Sequence, residues 1–122
     1  QLKVVDDQIG TPTNARDLAG VIMKLINHLD EIKSMEIFHY SNEGSARWYD
    51  FAKAIVEMSG IDCKILPITT DEYPLPAKRP GYSVLDKQKI KGFLSIEVPD
   101  WRESLSGLLD CLKLLRNRQN GF

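Results

Sequence analysis

Asn14-Ala15-Arg16-Asp17-Leu18-Ala19-Gly20-Val21-Ile22-Met23-Lys24-Leu25-Ile26-Asn27-His28-Leu29-Asp30-Glu31-Ile32 carries the strongest periodic signal in the chain. Leu18, Val21, Ile22, Leu25, Ile26, Leu29 and Ile32 recur at spacings of three and four, which lines them along one face of an α-helix. Asn14, just ahead of the first turn, has the side-chain oxygen that an N-cap uses. A helix with one apolar stripe needs a sheet or a second helix to cover it. Upstream, Leu2 to Val5 reads as a strand, and residues 6–14, with Gly10 and Pro12, as turn and loop. Downstream, Met35 to Tyr40 alternates around Ile37 and Phe38, which predicts a buried strand.

Further along, Ser41-Asn42-Glu43-Gly44-Ser45 is a polar loop, with Ser45 the expected N-cap of a second helix. Trp48, Phe51, Ala52, Ile55 and Val56 share one face of that helix, so Trp48 and Phe51 are expected in the core. Gly60 stands where a helix stop belongs. Cys63 to Ile68 reads as a strand. Residues 69–83 hold Pro74, Pro76 and Pro80 and are expected to be irregular, since proline fixes φ and restricts the residue before it. Asp86 is expected to cap a short helix through Ile90. Asp100 with Glu103 resembles a capping box for a last helix, on which Trp101, Leu105, Leu108, Leu109, Leu112 and Leu115 form the apolar face. Arg116 and Arg118 complement the dipole at its end.

Three or so short strands interleaved with four helices give an α/β class, in the form of a small α+β-like lobe. We divide the chain into a lobe over residues 1–115 and a tail over 116–122. Strands so few and short need a neighbour to cover them. The chain has no initiator Met and opens inside a β-like run, so we expect it to start partway through a longer protein.

Composition narrows the function classes. Sixteen basic residues against 17 acidic leave a formal charge of −1. That balance gives no electrostatic reason to expect a nucleic acid or an anionic membrane as partner. No apolar run approaches the roughly 20 residues that span a bilayer. Cys63 and Cys111 stand far apart without a second pair, which suggests reduced thiols in a cytoplasmic protein.

The chain contains no Gly-x-Gly-x-x-Gly, P-loop, Gly-x-Ser-x-Gly or metal-ligand spacing, and no metal is assigned. His28 and His39 lack acidic or cysteine partners at ligand spacing and read as structural. Tyr49 and Lys53 match a Tyr-x-x-x-Lys pair on one helix face, but no dinucleotide glycine motif precedes them, so the match reads as coincidence. The informative segment is Tyr73-Pro74-Leu75-Pro76-Ala77-Lys78-Arg79-Pro80-Gly81-Tyr82-Ser83. Prolines on both sides stiffen the backbone that presents Arg79, and a planar guanidinium suits a pair of phosphate oxygens. A surface arginine in a proline-rich turn would carry the same residues.

Several of these segments, in order, resemble the dTDP-4-dehydrorhamnose reductase family of the extended short-chain dehydrogenases. They are Asp7-Gln8-Ile9-Gly10-Thr11-Pro12-Thr13 with Asp17-Leu18-Ala19; His39-Tyr40-Ser41 with Gly44; and Trp48-Tyr49-Asp50-Phe51-Ala52. Ile68-Thr69-Thr70-Asp71-Glu72-Tyr73-Pro74, Ala77-Lys78-Arg79-Pro80 with Ser83 and Leu85-Asp86, and Trp101 with Leu105 complete the set. The resemblance implies the C-terminal substrate-binding portion of such an enzyme, with the Rossmann half missing. That half would carry the glycine-rich loop, the catalytic Tyr-x-x-x-Lys and most of the NADPH site, so no catalytic residue is expected in this chain. The implied reaction is NADPH-dependent reduction of the 4-keto group of dTDP-4-dehydro-β-L-rhamnose. Arg79 is then expected to contact the diphosphate of a dTDP-sugar, with Gln8, Thr11 and Tyr82 lining the cleft. The expected partners are that substrate, the Rossmann half and, where the protein self-associates, a second copy in a homodimer. Two other classes stay open: a non-catalytic regulatory module of the same fold, and another nucleotide-sugar epimerase or dehydratase.

Overall fold

The structure is a computed structural model that describes residues 1–119. Strand β1 (Leu2–Val5) pairs in parallel with β4 (Ile65–Ile68), Leu2 opposite Ile65 and Val5 opposite Ile68. Two short strands, β2 (Ile9–Gly10) and β3 (Ala46–Arg47), form an antiparallel pair beside it. Helices α1 (Ala15–Ile26), α2 (Trp48–Ser59), α3 (Gln88–Leu94) and α4 (Trp101–Gln119) supply most of the regular structure. The α/β class expected from the sequence is the class observed.

Helix α1 starts where Asn14 Oδ1 accepts from the Arg16 N–H at 2.8 Å. It stops at Ile26, and a separate 3-10 turn spans Leu29–Glu31. The predicted stripe is therefore broken: Val21 is buried, while Ile22, Ile26 and Leu29 face outward. Helix α2 is capped by Arg47 with Asp50 rather than by Ser45. The correction follows from β3, which takes residues 46 and 47 into extended pairing with Ile9 and Gly10 and delays the first turn. Gly60 ends the helix at φ +68°, a left-handed conformation that glycine adopts without a Cβ clash. Asp86 Oδ1 accepts from the Gln88 N–H at 2.8 Å, and the helix it introduces runs on to Leu94, four residues beyond Ile90. Asp100 Oδ1 likewise accepts from Arg102 N–H at the head of α4. Residues 116–119 of the expected tail are the end of α4. The rest of it, 120–122, lies outside the described residues.

Two apolar clusters hold the lobe together. In the first, Ala54 and the half-buried Phe51, Ile55 and Met58 of α2 meet Trp101, Leu105 and Leu109 of α4. In the second, Val21 and Leu25 of α1 meet Ile90, Phe93 and Leu94 of α3, with Phe38 and Tyr40 laid across them. The segment Met35 to Tyr40 is not a strand. Its alternation is real, since Phe38 and Tyr40 turn inward while Met35 and Ile37 are 94% and 67% exposed. It crosses helix faces, where no sheet edge offers backbone partners, so the ladder cannot form.

Between the clusters sits Asn42, fully buried. Its Nδ2 donates to Asp17 Oδ2 at 2.7 Å and Ser104 Oγ at 2.9 Å, with Pro99 O at 3.2 Å, and its Oδ1 accepts from Asn14 N–H at 2.7 Å. One side chain thus ties the start of α1 to the first turn of α4.

Candidate functional site

The proline-rich loop is fastened at both feet to one short segment, residues 7–9. At its start Asp7 accepts from the Thr70 N–H at 2.9 Å and the Thr70 hydroxyl at 2.6 Å, capping a 3-10 turn over Thr70–Glu72. That turn is regular structure inside a stretch expected to have none. It forms because Thr69 and Glu72 close a capping box upstream of the first proline. At the far foot Ile9 N–H donates to Gly81 O and Ser83 N–H donates to Ile9 O, each at 2.8 Å. Arg79 rides between the two clamps. Both carboxylates at the near foot are held below their ordinary range: Asp7 chiefly by the Thr70 hydroxyl and then its N–H, Glu72 by the Thr69 N–H and then its hydroxyl.

Two cavities open on either side of this loop. The first, about 450 Å³, is lined by Leu2 to Val5, Gln8, Trp48, Ile68, Tyr73, Leu75 and Arg79. The second, about 460 Å³, runs under the loop from Asp7 and Thr70 past Tyr73 to Arg79 and Gly81. Gln8, Tyr73, Leu75 and Arg79 belong to both. Among the described residues no ion pair engages Arg79, so its guanidinium is available to a ligand. Gln8 is 6% exposed and donates through Nε2 to Thr70 Oγ1 at 3.0 Å.

The other expected site residues lie elsewhere. Thr11 spends its hydroxyl on Gly44 O at 3.0 Å, and Tyr82 is exposed opposite Ile9; neither lines these two cavities. Trp48, expected in the core, is 47% exposed and forms a wall of the first cavity beside Arg79. It heads α2, one turn beyond the point where that helix meets α4, so the apolar stripe outruns the core it covers. Tyr73 is the other aromatic that sequence reasoning missed; its signal was its place next to Pro74 at the loop's entrance. Tyr49 lines neither cavity, and Lys53 sits 3.8 Å from Glu57. His28 Nδ1 lies 2.8 Å from Lys24 O in the last turn of α1. Among the described residues no group of three metal-ligating side chains occurs.

A second charged centre lies away from the cavities. Buried Lys87 donates to Asn42 O at 3.1 Å and lies 3.3 Å from Glu43, whose other oxygen accepts from Lys91 at 2.8 Å. The Lys91 hydrogen bond, followed by that of Lys87, keeps the Glu43 carboxyl below its usual range. Burial first, then Asp17 and Glu43, pushes the Tyr40 phenol up.

Residues 1–114 match the family model of the RmlD substrate binding domain. Among curated relatives, the spore coat polysaccharide biosynthesis protein SpsK of Bacillus subtilis (strain 168) is 45% identical over 105 residues, 86% of this chain and 35% of that protein. The crystal structure of a dTDP-4-dehydrorhamnose reductase from Clostridium acetobutylicum ATCC 824 superposes with a TM-score of 0.81 at 43% identity, over 92% of this chain and 39% of that one. A dTDP-4-dehydrorhamnose reductase from Bacillus anthracis str. Ames, in complex with NADP, gives 0.73 at 35% identity, over 85% of this chain and 36% of that one. The chain therefore spans well under half the length of each of these relatives. With a match over nearly its whole length and a shared fold at such identities, the chain belongs to the RmlD substrate-binding domain family.

Proposed function

We propose that this chain is the substrate-binding lobe of an NADPH-dependent dTDP-4-dehydrorhamnose reductase, and that it grips the diphosphate of the dTDP-sugar through Arg79. The observation that carries this reading is the placement of Arg79. It stands without an internal ion pair, on a loop pinned at both feet, at the shared wall of two cavities of about 450 and 460 Å³. A pinned loop has already given up most of the entropy that ordering would cost, so more of the charge-assisted contact appears as affinity.

The residues of this chain do not fit the cofactor. A dinucleotide diphosphate sits on free backbone N–H groups at a glycine-rich turn after a strand. Here β1 runs into Asp6 and Asp7, and the turn after β4 has its N–H groups occupied by Asp7 and Glu72. NADPH, which would supply the hydride, belongs to protein outside this chain, and the hydride step is not routed through these residues. What the lobe contributes is binding at a distance from the reacting carbon. Arg79 holds the phosphates, Trp48 and Tyr73 wall the cavity, and the energy of those contacts positions the sugar for reduction.

NADPH oxidation by the parent protein with dTDP-4-dehydrorhamnose tests the reading. Arg79→Ala should raise KM by about 10-fold or more, as loss of a charge-assisted hydrogen bond implies, with a smaller effect on kcat. An unchanged KM would remove Arg79 from the phosphate site.

A further inference from the structure

The hydrogen bonds around Thr70 fix the orientation of the Gln8 amide. Thr70 Oγ1 lies 2.6 Å from Asp7 Oδ1 and 3.0 Å from Gln8 Nε2. An ionised carboxylate only accepts, so the single hydroxyl hydrogen of Thr70 goes to Asp7. Thr70 Oγ1 must then accept at its other contact, and the donor has to be the NH₂ of Gln8. The amide cannot flip without setting its carbonyl against the hydroxyl lone pairs. Oε1 is thereby turned away from Thr70. It has no partner among the described residues, and it is not one of the two enclosed orphan oxygens, Asp6 Oδ1 and Ser41 Oγ, so it opens onto accessible space. Gln8 lines both cavities beside Arg79.

We infer that Gln8 is a specificity residue whose carbonyl oxygen, oriented by Thr70 and Asp7, accepts a hydrogen bond from an N–H or O–H donor of the ligand held at Arg79. This rests on the nucleotide-sugar reading above and adds to it a donor requirement. The direction of the relay is reinforced by Asp7, which the two Thr70 donors keep ionised. Two parts of such a ligand carry donors: the nucleoside, through the imide N–H and the 3′-hydroxyl, and the hexose, through its hydroxyls. A site whose acceptor the bound ligand covers discriminates against a ligand lacking the donor, because the acceptor then loses water and is left unpaired.

Titration calorimetry of the parent protein with dTDP and with dTDP-L-rhamnose tests the assignment. Gln8→Leu should weaken binding by about 3- to 10-fold, the range for one neutral hydrogen bond. A loss on both ligands places the donor on the nucleoside, at the imide N–H or the 3′-hydroxyl; a loss on the sugar nucleotide alone identifies a hydroxyl of the hexose. Either result supports the acceptor role. Thr70→Val keeps the backbone N–H bond to Asp7 that pins the loop and should weaken the same ligand; Thr70→Ser should restore it, and the double variant Gln8→Leu/Thr70→Val should match Gln8→Leu, because the Thr70 hydroxyl acts through Gln8. Gln8→Leu binding both ligands as the wild type does, or losses that multiply in the double variant, overturns the inference while leaving the Arg79 reading intact. A wild-type protein that binds neither ligand overturns both.

Discussion

Replacing Asn42 with leucine should destabilise the lobe by about 3 kcal/mol, and the figure can be built bond by bond. The amide is fully buried and carries two hydrogens toward three acceptors. The two shorter contacts, to Asp17 Oδ2 at 2.7 Å and Ser104 Oγ at 2.9 Å, are the full bonds. A third bond enters from Asn14 N–H at 2.7 Å. Two neutral bonds at about 1 kcal/mol each and one to a carboxylate at about 2 give about 4 kcal/mol. Leucine has the same branched outline with bulkier ends, and burying it returns about 1 kcal/mol, the low end of the apolar transfer range. The loss is a large share of the roughly 5–15 kcal/mol that hold a typical domain. Equilibrium urea unfolding on a Trp48→Phe background measures it, because buried Trp101 is then the sole tryptophan reporter. Asp17→Ala should cost less in the Asn42→Leu protein than alone, since the two side chains share a bond. A loss below about 1 kcal/mol, or strict additivity of the two substitutions, would show that Asn42 does not join the clusters as argued.

Three other outcomes follow from the same structure. Gly44→Ala should cost about 2–4 kcal/mol in urea unfolding, from a left-handed backbone plus overpacking; its φ is +80° and the added Cβ would stand 2.5 Å from Asp100 Oδ2 and 2.9 Å from Trp101 Cδ1. Glu43 has a lowered carboxyl pKa, so its stabilising contribution is complete above its ordinary value of 4.5 and drains away as pH falls through the folded value. The stability gap between wild type and Glu43→Gln should accordingly be constant near neutrality and narrow in acid, as urea midpoints across that range would show. Ala54→Leu, placed at a core position only 2% exposed, should lower the melting temperature by several degrees through overpacking, about 1–3 kcal/mol.

Local chemistry settled much of this protein before any coordinates. Asn14, Gly60 and Asp100 mark helix ends because capping joins residues within four positions of each other. Trp101 and Leu105 were legible as core for the same reason: one turn of helix sets their spacing. Arg79 stood out because prolines act on their immediate neighbours. What the sequence could not decide depended on partners far along the chain. Met35 to Tyr40 has a strand's alternation, but a strand exists only where a second backbone lies alongside, and none does. Trp48 continues an apolar stripe, yet whether a stripe residue is covered depends on where α4 ends its contact. Gln8 becomes an oriented acceptor through Thr70, 62 positions away. Asn42 holds the lobe through Asp17 and Ser104, on either side of it in sequence. Spacing within a helix is a property of the local backbone. Burial and hydrogen-bond direction come from surfaces that meet only when the chain has folded.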